Sequence, residues 1–89
     1  MSDETVQGVV RAPGPLGIHA RPAAKISQAA QGYLSSIVIS SEAGAVDAKS
    51  ILDILSLSAG PGTSITIRAT RPDAQAAVQQ LTEIISRGT

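Results

Sequence analysis

Apolar and polar positions change period along the chain, and those changes give an order of elements. Thr5 to Ala12 carries Val6, Val9 and Val10, a strand signal that Gly8 makes less regular than strict alternation. Pro13-Gly14-Pro15-Leu16-Gly17 ends it. From Ala20 to Gln31 good helix formers dominate, Ala23, Ile26 and Ala30 recur at helical spacing, and Gly32 supplies a stop. Ser36 to Ser41 sets serine around Ile37, Val38 and Ile39, and Glu42-Ala43-Gly44 turns that strand into a short partner, Ala45 to Ala48.

Ser50 to Leu57 reads as a short helix with Ile51, Leu52, Ile54, Leu55 and Leu57, too many apolar residues for one buried stripe. Part of that surface is expected to face solvent. Ala59-Gly60-Pro61-Gly62 breaks it, and Thr63 to Thr70 gives a strand with Ile65 and Ile67 on one face. The last helix, Pro72 to Arg87, places Ala74, Val78, Leu81 and Ile85 on one side, with Pro72 in its first turn and Gly88 after its end. Thr70 and Asp73 have the spacing of a capping box. The order is βαββαβα, which predicts an α+β fold: a four-stranded, mostly antiparallel sheet with helices on one face.

Composition narrows the function classes. The 89 residues form a single domain, 1–89, without repeats or a linker. Seven basic residues balance seven acidic ones, and Tyr33 is the lone aromatic, so no broad field or base-stacking surface recommends nucleic acid. Cysteine is absent and histidine occurs once, which removes disulfides and thiolate zinc and argues against a histidine-rich metal site. No leader pattern and no run of the ~20 apolar residues needed to span a bilayer occur, so a cytoplasmic protein without membrane insertion is expected.

The single histidine lies in Gly17-Ile18-His19-Ala20-Arg21-Pro22, at the expected N-cap of the first helix. Free N–H groups and the positive end of the helix dipole favour an anion at such a place. Arg21 adds a permanent cation with a donor fork suited to phosphate, while Ala20 and Pro22 form the first turn. The competing reading is that His19 merely caps the helix and Arg21 is a solvated charge.

These residues, continued by Ala23, and then Lys49-Ser50-Ile51-Leu52, Ser56-Leu57 and Ser64-Ile65-Thr66-Ile67, resemble the histidine-containing phosphocarrier family, HPr, of the bacterial phosphoenolpyruvate-dependent sugar phosphotransferase system. The likeness runs from about Val6 to Ser86. It implies the βαββαβα open-faced sandwich and a covalent carrier that is no enzyme in its own right. By this resemblance His19 takes a phosphoryl group on Nδ1 from phospho-enzyme I and passes it to enzyme IIA domains, with Arg21 contacting the phosphoryl group or the partner. Phosphoenolpyruvate and Mg²⁺ would serve enzyme I, and this chain would bind no cofactor or metal. A monomer is the expectation.

Lys49, Ile51, Leu52 and Leu55 are then the expected docking residues, with Leu57 an alternative member of the exposed apolar patch. The opposing expectation is that these leucines are core. Ser50 matches the serine that an HPr kinase/phosphorylase modifies in many Gram-positive relatives, where the added charge would hinder docking. Ser50 with Asp53 equally has capping-box spacing, and Asp53 departs from the small or basic residue common there. Alternatives for the function are a regulatory docking module of the same family, or a carrier in a nitrogen-related or dihydroxyacetone kinase branch.

Overall fold

In a computed structural model that describes residues 5–88, the chain forms β1 (Thr5–Arg11), α1 (Ala20–Gln31), β2 (Ser36–Ser41), β3 (Gly44–Asp47), α2 (Ile51–Ser56), β4 (Ser64–Thr70) and α3 (Ala74–Arg87). Met1–Glu4 and Thr89, which the single-domain and leader expectations include, lie outside the described residues. The sheet order is β1-β4-β2-β3 and every pairing is antiparallel. Strict alternation in β4 buries Ile65, Ile67 and Ala69, and their neighbours in register on β2, Ile39 and Ile37, join them in the core.

Helical spacing does the same work above the sheet. Ala23, Ile26 and Ala30 of α1 and Ala74, Ala77, Val78, Leu81 and Ile85 of α3 are buried. The many alanines let the elements approach closely: α3 packs on β1 and β4, and α1 packs on α3 and α2. Gly8 belongs to this contact, because a Cβ there would stand 2.9 Å from Val78 Cγ1. The irregular spot in the first strand signal is where α3 crosses β1.

Two predicted helix starts need correction. Thr70 is the last residue of β4, and Asp73, rather than Thr70, is the N-cap of α3, so no Thr70–Asp73 capping box forms and Pro72 precedes the helix. Asp73 makes no side-chain cap bond; Oδ2 accepts the Leu34 N–H at 2.9 Å and Oδ1 accepts the Ser35 N–H at 2.9 Å. The Ser50–Asp53 box is half made. Ser50 Oγ accepts the Asp53 N–H at 3.2 Å, but the Ser50 N–H donates to the Asp47 carbonyl at 3.1 Å.

Candidate functional site

His19 occupies the N-cap of α1 with extended backbone, and its carbonyl accepts the first intrahelical N–H, that of Ala23, at 3.0 Å. The imidazole itself makes no cap bond and has no hydrogen bond or ion pair with any described residue. A histidine present only to cap would close on the free N–H groups of the first turn. This one leaves them open.

The surroundings of the ring are rigid below and open above. Gly17 has φ +69°, and a Cβ on it would stand 2.2 Å from the Ala59 carbonyl oxygen, so both conformation and contact demand glycine. Ile18 is buried and donates its N–H to that same carbonyl at 2.9 Å. Pro22 and Ala23 are buried on the helix side, whereas Ala20 and Arg21 are exposed and His19 is half-buried. The anchors hold the backbone on either side of His19 while its ring and the Arg21 guanidinium stay accessible.

Electrostatics of the first turn favour an anion. No acidic residue occupies the first turn of α1, Pro22 contributes no N–H, and those of Ala20 and Arg21 precede the first intrahelical bond. Arg21 forms no ion pair with any described residue, so its charge is available to a ligand. Among the described residues no three His, Cys, Asp or Glu side chains gather as a metal set would.

The expected docking residues separate. Leu52 is 74% exposed and Ile51 36%, but Leu55 is half-buried against the core and Leu57, the alternative member of the patch, is buried with Ile54. A six-residue helix gives each side chain its own direction, and only part of α2 turns outward. Lys49 is a brace: Nζ donates to the Tyr33 carbonyl at 2.9 Å, and its carbonyl accepts Gln31 Nε2 at 3.1 Å. It ties the end of α1 to the start of α2. An open groove lined by Ile37, Val46, Asp47, Lys49, Asp53 and Ser56 involves neither His19 nor Arg21.

Leu16, 65% exposed, was not among the residues expected to dock. It sits three positions before His19, in a turn closed by the Gly17 N–H and the Pro13 carbonyl at 2.7 Å. The signal was an apolar residue inside a glycine-proline loop, where no periodic partner explains it. The packing of α1 on α2 and the Ile18–Ala59 bond set the segment leading into His19 against the chain leaving α2.

Comparison with known proteins agrees with this geometry. The family model described as the PTS HPr component phosphorylation site matches residues 6–87. The chain is 39% identical over 71 residues to phosphocarrier protein HPr of Cupriavidus necator, a match covering 80% of each chain. The crystal structure of a phosphocarrier protein HPr from Bacillus anthracis superposes with TM-score 0.85 at 37% identity, over 91% of this chain and 96% of that one. Crh, the catabolite repression HPr of Bacillus subtilis, superposes in its solution structure with TM-score 0.70 at 32% identity, over 94% of this chain and all of that one (100%). With the element order, the antiparallel sheet and an open histidine at the start of the first helix, the chain belongs to the HPr family of phosphotransferase-system phosphocarriers.

Proposed function

We propose that His19 accepts a phosphoryl group from phospho-enzyme I and hands it to an enzyme IIA domain, so that the chain is a covalent carrier and a protein substrate of its partners. The observation that carries this reading is the His19 ring, half-buried and unbonded at a helix start that lacks acidic residues and has Arg21 exposed beside it. In each transfer the P–N bond to the donor imidazole breaks as a P–N bond to the acceptor forms, through a loose in-line transition state. Little chemistry is then asked of this chain beyond position and charge. By likeness to the family the attacking atom is Nδ1. Free N–H groups at the helix start and the Arg21 fork would hold the phosphoryl oxygens, and no metal or nucleotide is required on this chain.

The exposed Leu52 and Ile51 of α2, with exposed Leu16 in the loop before His19, would give the apolar surface on which the two partners dock in turn. No described helix is long and apolar enough to cross a membrane. By likeness to the family, the carrier would move between its partners in the cytoplasm. A phosphate on Ser50, placed by an HPr kinase/phosphorylase, is less favoured: Ser50 Oγ already accepts the Asp53 N–H, and Asp53 brings a charge of the same sign.

The test is intact-protein mass spectrometry after incubation with phosphoenolpyruvate, Mg²⁺ and purified cognate enzyme I, beside His19→Ala. One acid-labile phosphate on the wild type and none on the variant is the expected result. A folded wild type left unmodified would overturn the carrier reading in favour of a regulatory docking protein. The same assay with a nitrogen-type enzyme I or a dihydroxyacetone kinase system in place of the sugar-type one identifies the branch.

A further inference from the structure

Among the described residues, Ser58 alone has a positive φ without being glycine, at 51°. A side chain in the left-handed region costs free energy, and a residue keeps that conformation only where its surroundings impose it. Nothing local rewards the serine: it is exposed, and Oγ makes no hydrogen bond among the described residues. The backbone explains it. The Ser58 N–H closes the end of α2 on the Leu55 carbonyl at 3.1 Å, and the left-handed step then turns the chain so that Ala59 is buried and its carbonyl meets the Ile18 N–H at 2.9 Å.

There is no slack in that contact. A Cβ on Gly17 would lie 2.2 Å from the same oxygen and 2.7 Å from the Gly60 carbonyl carbon, so Gly17-Ile18 and Ala59-Gly60 touch backbone to backbone. The next residue is His19, whose ring makes no bond that could hold it independently. Its position is inherited from the backbone before it.

We infer that Ser58 is a positioning residue for His19: its left-handed backbone aims the Ala59 carbonyl at Ile18 and thereby fixes where the phosphate-accepting ring stands. The inference rests on the proposed role of His19. The conformation at position 58, rather than the serine hydroxyl, is the part that matters. Residues that tolerate a positive φ should therefore preserve the site, and β-branched residues should not.

Ser58→Gly and Ser58→Val separate the two properties. Amide exchange followed by NMR reads Ile18 against Ile67 in β4 as an internal reference, and single-turnover phosphoryl uptake from phospho-enzyme I at saturating donor reads the ring. Ser58→Gly is expected to keep wild-type exchange at Ile18 and the wild-type rate. Ser58→Val should lose protection at Ile18 by roughly tenfold, keep it at Ile67, and slow uptake by about tenfold without a matching change in KM. Unchanged Ile18 protection in Ser58→Val, or an unchanged saturated rate despite lost protection, would overturn the inference. Should Ser58→Val fail to fold, shown by loss at Ile67, Ser58→Thr, whose branched Cβ also disfavours a positive φ, supplies the same comparison. Failure of the wild type to take up phosphate would sink the carrier reading instead, and the exchange comparison would still decide the Ser58–Ala59–Ile18 linkage.

Discussion

Asp73 stands at the N-cap of α3 but turns its carboxylate to Leu34, whose N–H donates to Oδ2 at 2.9 Å. The bond from Leu34, with a second from the Ser35 N–H, holds the Asp73 carboxyl below the ordinary value of 3.8, although partial burial opposes the shift. A native value below the unfolded one means that stability from this group is complete above about 3.8 and is lost as pH falls through the native value. Melting temperature followed from neutral to acid should therefore fall in that lower window. Asp73→Asn should melt several degrees lower at neutral pH and show a flatter acid limb. An acid limb identical to that of the wild type would remove Asp73 from the explanation.

Ser50 has a defined structural task in accepting the Asp53 N–H at 3.2 Å. Ser50→Ala should cost about 1 kcal/mol in urea unfolding, the usual value of an N-cap. Ser50→Asp keeps a capping oxygen and should stay near wild-type stability, while adding a charge two residues from the exposed Leu52. If Ser50→Ala unfolds at the wild-type midpoint, the cap contributes nothing measurable to the fold.

Much of this molecule was legible because local period and core face coincide. Ile65 and Ile67 alternate and are buried, Ala23, Ile26 and Ala30 recur helically and are buried, and the histidine does lie at the N-cap. What stayed hidden depends on partners far away in sequence. Asp73 looked like a local cap, but its partners lie 39 and 38 residues back. Lys49 was expected to dock partners, but its ammonium reaches the Tyr33 carbonyl, 16 residues away. Within α2 the sequence showed an excess of apolar residues without saying which face turns inward, since six residues carry less than two turns of periodicity. The left-handed Ser58 had no signal at all, because glycine is the residue by which such a turn is usually recognised.

The open geometry around His19 separates function from stability. With no hydrogen bond or ion pair among the described residues to lose, His19→Ala should unfold within about 0.5 kcal/mol of the wild type while accepting no phosphate. Arg21→Ala should slow phosphoryl uptake by roughly tenfold or more, and Arg21→Lys should restore part of it, because a point charge replaces the fork incompletely. Rapid-quench kinetics beside a urea titration measures both. An Arg21→Ala variant as fast as the wild type would show that the guanidinium contacts neither phosphate nor partner.

Leu52 and Leu57 were candidates for the same surface, and the structure assigns them opposite roles. Leu57 is 5% exposed and packs in the core, so Leu57→Ala should cost about 2–5 kcal/mol, from lost burial and the cavity left behind. Leu52 is 74% exposed, and Leu52→Ser removes almost no buried area, so its unfolding midpoint should hardly move. The effect of Leu52→Ser should appear instead in partner recognition: KM for enzyme I rising several-fold with the saturated rate retained, the pattern of lost uniform binding. An unchanged KM would place partner docking elsewhere, with exposed Leu16, three residues before His19, the next surface to remove. A large stability loss would mean that Leu52 folds onto the core in solution. Each outcome distinguishes a binding surface from a packing surface, which the run of apolar residues in α2 could not do.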